Sequence, residues 1–296
     1  MPVPTPTVLT DLVALLRLER IEENLFRGQS QDLGWGAIFG GQVVGQALSA
    51  ASHTVPADRM VHSLHGYFLR VGDATRPVVY QVDCSRDGRS FTTRRVVAIQ
   101  SGRPIFHMAA SFQIDEPGYD HQAPTPRAPD PETLISERDL ALAHVDRIPA
   151  HLQAMALRER PIEVRQVDPG DPLSPQIRPP GRQVWYRAAE RLPDDPALHR
   201  FLLAYASDFH FLGTALQPHG VSWFSGDVQM ASLDHAMWFH RPFRLDDWLL
   251  YEIDSPSASG ARGLVRGSFY DRGGALVASV AQEGLIRQRD HGRGGA

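Results

Sequence analysis

The sequence predicts an α+β fold in which two antiparallel sheets each wrap around one long helix. The first observation behind this is a repeat. A shift of 171 residues lays "GYFLRVGDATRPVVYQVDCSRDG" from Gly66 over "MWFHRPFRLDDWLLYEIDSPSAS" from Met237 without a gap. Phe68, Arg70, Tyr80, Asp83, Arg95, Gly102 and Ala110 recur as Phe239, Arg241, Tyr251, Asp254, Arg266, Gly273 and Ala281. The second is that each copy has the same order of short strand, long helix and several runs rich in β-branched and aromatic residues. The third is that turn signals fall in step. "SGRP" at 101–104 sits over "RGGA" at 272–275, and short Gly-containing turns join antiparallel neighbours.

The elements follow in order. "TVLTDLVALLRLERIE" (7–22) reads as an amphipathic helix capped by Thr7 or Thr10, and "NLFRGQS" as a short strand. "IFGGQVVGQALSAAS" (38–52) reads as a helix opening on two glycines. Strand-like runs follow near 60–70, 76–84, 91–100 and 104–114. "DEPGYDHQAPTPRAPDPET" is a Pro-rich linker, with a helical "TLISERDLALAHVDRI" behind it. In the second copy, "RQVWYRA" (182–188) precedes a helical stretch at 196–212, then runs near 228–240, 247–254, 262–271 and 275–287. The organisation is therefore a first unit at 1–114, a linker at 115–180, a second unit at 181–290 and a solvated tail at 291–296.

Composition excludes several classes. With 42% apolar and 22% charged residues and a formal net charge of −4, the chain has no basic footprint for nucleic acid. No apolar run is long enough to span a bilayer. The N-terminal stretch lacks a signal peptide's positive region and cleavage site, and Cys84 is alone. Both point to the cytoplasm. Thirteen histidines are scattered, without HExxH or Cys pairs, so no metal is expected. "GWGAIFGG" (34–41) misses the dinucleotide-binding glycine spacing by one residue and lies outside a βαβ unit, so no cofactor is expected either.

Asp234 and His235, adjacent on a strand, project to opposite faces and cannot form a dyad. On that strand Met230, Ser232, Asp234 and Trp238 share one face, and Leu233, His235, Met237 and Phe239 the other. His235 and His240 read as structural residues or as subunit contacts. Asp208 stands out in "FLLAYASDFHFL", where apolar neighbours surround it on most sides, because a buried carboxylate must be hydrogen-bonded. Gln282 poses the same problem on a strand face shared with Leu276, Ala278 and Val280. Ser232 supplies a hydroxyl from a strand of the same half.

With these contexts the chain resembles the type II acyl-CoA thioesterases, a family of double-hotdog proteins. The resemblance runs from about residue 18 almost to the C-terminus through seven blocks in family order. These are "FGGQVVGQAL", "HSLHGYFLRVGD", "GRSFTTRRVVAIQSGRPIF", "YASDF", "LDHAMWFHRPF", "SASGARGLVRG" and "LVASVAQEG". The resemblance implies a double hotdog and a catalytic trio of Asp208, Ser232 and Gln282. Threonine also occurs at the Ser232 position in the family. It further implies that Gly40 and Gly41 of "FGGQ" present backbone N–H groups to the substrate carbonyl, or else allow close helix–sheet packing. Medium- to long-chain fatty acyl-CoA is the implied substrate. A homo-oligomer is expected because hotdog sheet edges pair between chains.

The chemistry suits these residue types. A thioester carbonyl is electrophilic and coenzyme A thiolate leaves readily, so one oriented water suffices. Asp208 takes that water's proton, Ser232 and Gln282 orient it, and no acyl-enzyme is needed. At the 171-residue shift Ser232 falls on Val61 and Gln282 on Ser111, so one centre per chain is expected. Two other readings differ in class. One is a non-catalytic acyl-CoA sensor or binding protein. The other is a hotdog enoyl-CoA hydratase, disfavoured because Asp208 and His210 fall on opposing sides of a helix and the Gly-Asp-x-Asn-Pro context is missing.

Overall fold

The computed structural model describes residues 7–222, 224, 226 and 228–289. The tail expected at 291–296 lies outside them. α1 (Val8–Leu16) starts where Thr7 Oγ1 accepts the Thr10 N–H at 3.3 Å, and it buries Leu9, Leu12 and Leu16. It is shorter than the sequence suggests. "ERIE" instead forms β1 (Glu19–Glu22), fully exposed, which hairpins onto β2 (Leu25–Gly28) through Asn24 at φ +59°. An Asn in that region closes a tight turn that a helix cannot accommodate.

α2 (Gly40–Ser52) is buried along nearly its whole length, and it packs on β3 (Arg59–Phe68), β4 (Val78–Asp87), β5 (Phe91–Gln100) and β6 (Arg103–Ile114). The expected Pro-rich linker contains more structure than its composition suggests. It holds α3 (Glu137–Ala143), α4 (Ala150–Leu157) and a further strand, β7 (Ile162–Gln166). β8 (Gly181–Ala188), α5 (Pro196–Ala206), β9 (Val228–Ser232), β10 (Asp234–Phe239), β11 (Leu249–Ser259), β12 (Arg262–Asp271) and β13 (Leu276–Gln288) complete the chain.

One continuous sheet replaces the two expected. Its order is β1-β2-β4-β5-β6-β3-β10-β13-β12-β11-β8-β7, with β9 also on β13. The join is the antiparallel pairing of β3 with β10, from Asp234 opposite Tyr67 to Trp238 opposite Ser63. Edge strands of the two halves satisfy each other's backbone groups, which removes two free edges at once. On either side of the join the order is the same, β3-β6-β5-β4-β2 and β10-β13-β12-β11-β8. β12 lies on β5 residue for residue at the 171-residue shift.

Side chains alternate as the pleat requires. Val184, Tyr186, Leu249, Tyr251 and Ile253 enter the main core with the helices, while Trp185, Trp248 and Leu250 form a second cluster on the opposite face. The linker covers that second cluster. Ala128, Leu134 and Val167 pack on it, Pro129 C=O accepts from Trp185 Nε1 at 3.0 Å, and Glu132 accepts from Trp248 Nε1 at 2.8 Å.

Candidate active site

The site forms where the central helices of the two halves meet. α2 and α5 pack against each other, and glycines set how closely. A Cβ on Gly41 would lie 2.2 Å from the Tyr205 carbonyl oxygen, and one on Gly45 3.1 Å from that of Phe201. Only hydrogen at Gly41 lets the two backbones approach so nearly, while Gly45, four residues on, leaves a methyl a tight fit.

α5 ends at Ala206 with Ser207 as its C-cap, so Asp208 lies just beyond the helix rather than on it. The chain then turns through His210 at φ +60° into a 3₁₀ segment, Leu212–His219. This turn sends Asp208 and His210 to different partners. Asp208 Oδ2 accepts the Gly41 N–H at 2.9 Å. α2 has no side-chain cap of its own at Phe39, and Asp208 from the other half supplies the missing acceptor at its electropositive end. A Cβ on Gly40 would meet the same Oδ2 at 2.6 Å. The glycines expected to polarise a substrate carbonyl are thus set against the aspartate, and the Gly41 N–H is occupied by it.

Gln282 is 1% exposed on the core face of β13. Its Nε2 donates to Ser232 Oγ at 2.9 Å, and its amide lies near enough to Asp208 to draw that carboxyl's pKa down. The structure therefore brings all three residues together. Ser232 reaches the group through a β-bulge. Four steps separate Ser232 from Ala236, but only three separate their partners Gly284 and Ala281 on β13. The extra residue reverses the alternation assumed from sequence. Ser232 leaves the face of Asp234 and joins that of Gln282. Leu233 N donates to the Glu283 C=O at 2.9 Å, and Asp234 Oδ1 accepts the Glu283 N–H at 2.6 Å in place of a ladder bond. Asp234 and His235 do diverge, as strand geometry requires.

His235 is fully buried and holds the site from behind. Its Nδ1 lies 2.6 Å from Gln282 Oε1 and its Nε2 2.9 Å from Ser207 Oγ. Reading it as merely structural or a subunit contact missed this. The available signal was its place on a strand's core face between apolar neighbours, where an imidazole requires partners. His210, which the hydratase reading would pair with Asp208, turns elsewhere. Its Nε2 bonds Glu137 Oε1 at 2.6 Å and its Nδ1 the Tyr186 hydroxyl at 2.7 Å, tying the Asp208 turn to α3.

Burial pushes the Asp208 carboxyl above the usual aspartate range, against the opposing pull of His235, the Gln282 amide and the Gly41 N–H. Burial would raise Glu137 too, but His210, Arg160 and Gln166 bring it down to about 2. The two carboxyls thus differ in kind, one raised by burial and one held as an anion. No group of metal-ligating side chains occurs among the described residues. No helix there is long and apolar enough to cross a membrane.

A sheet wrapped on central helices, with a carboxylate, a hydroxyl and a carboxamide gathered at a helix start, is what the resemblance to the hotdog-fold thioesterases implies. Comparison with known proteins agrees. A family profile described as "Acyl-CoA thioesterase" matches residues 152–285, and one described as "Acyl-CoA thioesterase N-terminal domain" matches 30–113. Acyl-CoA thioesterase 2 of Haemophilus influenzae is 42% identical over 95% of this chain and 98% of its own. Human acyl-coenzyme A thioesterase 8 is 44% identical over 93% and 88%. The crystal structure of an acyl-CoA thioesterase II from Mycobacterium marinum superposes with a TM-score of 0.77 at 44% identity, covering 94% of this chain and 99% of that one. The chain belongs to the acyl-CoA thioesterase family.

Proposed function

We propose that this protein hydrolyses medium- to long-chain fatty acyl-CoA to fatty acid and coenzyme A by direct attack of a water held by Asp208, Ser232 and Gln282. The observation that carries this reading is their convergence. Gln282 donates to Ser232 at 2.9 Å and lies beside Asp208, which accepts the Gly41 N–H from the other half at 2.9 Å. Asp208 accepts one proton of the water, and the water oxygen bonds to the thioester carbon. Collapse of the tetrahedral intermediate breaks the C–S bond, and the departing thiolate recovers the proton. A raised carboxyl pKa favours such a base, because proton transfer is more efficient to an acceptor tuned toward the working pH.

Ser232 Oγ accepts from Gln282, so its own proton is available to the water or the carbonyl oxygen. Among the described residues no hydrogen bond joins Ser232 to a histidine, which supports water attack over acylation of the serine. We read the glycines at the start of α2 as seating the base rather than the carbonyl. We also read the continuous sheet as two hotdog units, 1–114 and 181–290, fused through β3 and β10 with a single centre.

Purified protein with palmitoyl-CoA and a thiol-reactive dye tests the reading. Thiol release is expected from the wild type. Asp208→Asn is expected to lose it while keeping affinity for a non-hydrolysable thioether analogue. Analogue binding without thiol release by the wild type would indicate a binding protein instead. Full release by Asp208→Asn would remove the aspartate from the mechanism.

A further inference from the structure

We infer that His235 is a positioning residue whose Nδ1–H fixes the polarity of the Gln282 amide, so that its NH2 faces Asp208 and Ser232. This rests on the reading of the trio as the hydrolytic centre. The imidazole is fully buried and bonded at both nitrogens, to Gln282 Oε1 at 2.6 Å and Ser207 Oγ at 2.9 Å. Ser207 immediately precedes Asp208, and its backbone carbonyl accepts the Tyr251 hydroxyl at 3.0 Å. One ring therefore spans the turn carrying the base and the amide that the base faces.

The polarity follows from what each partner can do. Gln282 turns its Nε2 to Ser232 Oγ at 2.9 Å on the side where Asp208 lies, and a carboxylate, which only accepts, requires the NH2 end there. The oxygen of that amide must then point at His235, where only a ring nitrogen bearing hydrogen can meet it at 2.6 Å. Nδ1 is thus the protonated nitrogen. Reversing the amide would set a carbonyl oxygen against the Asp208 carboxylate and leave both short of a donor, a costly state in a buried site. At the other end of the ring, Nε2 meets a hydroxyl, which can donate or accept. Ser207 Oγ also lies 2.9 Å from the Ala204 carbonyl, so that end tolerates either arrangement. The directional constraint is on the Gln282 side alone.

A set of substitutions tests this. Asn places its amide nitrogen where Nδ1 stands, Gln places its own near Nε2, and Leu provides neither. With acyl-CoA at saturation, His235→Leu and His235→Gln are expected to lower kcat by about 10²-fold, the scale of a misplaced catalytic group. KM and affinity for a thioether analogue should change little. His235→Asn is expected to stay within about 10-fold of wild type, on the same scale. In a Gln282→Ala background, His235→Leu should cost nothing further, since a residue acting only through Gln282 has no effect without it.

Equal losses for Asn and Leu, or an undiminished Leu effect in the Gln282→Ala background, would overturn the inference. So would wild-type kcat in His235→Gln. Should the Leu variant not fold, the contrast between Asn and Gln decides by itself. Wild-type turnover in Gln282→Ala alone would instead refute the trio, whatever the His235 variants show.

Discussion

Gly40→Ala converts the packing at the start of α2 into a kinetic prediction. The added methyl would stand 2.6 Å from Asp208 Oδ2, whereas ordinary contact begins near 3.4 Å, so the carboxylate must retreat by the difference, 0.8 Å. The ring edge of Phe68, at 3.1 Å, leaves the methyl little room to move the other way. A retreat of that size breaks the 2.9 Å bond from Gly41 and draws Asp208 away from Gln282. Misplacement by about 1 Å costs on the order of 10²-fold in rate. Stability should fall by about 0–2.5 kcal/mol, because overpacking costs about 1–3 kcal/mol and replacing a helix glycine returns about 0.5–1 kcal/mol. Gly45→Ala is the control. Its methyl would crowd Leu16 at 3.0 Å and the Phe201 carbonyl at 3.1 Å, away from the trio. Thiol release at saturating acyl-CoA, with thermal melting alongside, reads both variants. A folded Gly40→Ala enzyme with wild-type kcat, or a loss equal to that of Gly45→Ala, would refute the reasoning.

Other expectations follow from the same geometry. Because burial raises the Asp208 carboxyl, the acid limb of the wild-type kcat/KM profile should sit above about 4, the ordinary aspartate value. A raised carboxyl pKa contributes stability that is complete below the unfolded value and is lost as pH rises through the folded one. Asp208→Asn should therefore melt above wild type at pH 8, with the gap closing in acid; a lower melting point at pH 8 would contradict this. Glu137 carries the opposite sign. Held at about 2, it contributes stability above its ordinary 4.5 that is lost as pH falls toward 2. Glu137→Gln should cost on the order of 3 kcal/mol at pH 7, with the difference shrinking below pH 4.5 in denaturant titrations. Trp248→Leu should loosen the linker, since Glu132, Arg165 and Arg187 all engage that indole. Faster proteolysis within 117–135 is expected, and unchanged cleavage would count against it.

Most of the sheet was legible because strands carry their register in alternation, and the 171-residue shift set β5 on β12 without error. The helices do not obey that shift. α2 leads to β3 through residues 53–58, but α5 leads to β9 through 207–227, and this longer passage carries Asp208 and His210. Reading 196–212 as one helix concealed it, because the apolar run continues past Ser207 while the backbone does not. The bulge at Leu233 was equally hidden. No glycine or proline marks it, yet it decides which face Ser232 occupies. Asp208, Ser232 and Gln282 were singled out through motif resemblance together with the cost of burying their polar groups. His235 was not, because its role depends on a partner 47 residues away. The join between β3 and β10 was invisible for the same reason, since an edge strand's partner is a property of the whole sheet.

The central claim is that water, and no side chain, attacks the thioester. A single turnover of excess enzyme with acyl-CoA in H₂¹⁸O, followed by mass spectrometry of both products and protein, tests it most directly. The expected result is one ¹⁸O in the fatty acid from the first turnover and none in the protein. Label in the Asp208 carboxylate, or an acyl group trapped on Ser232, would contradict it.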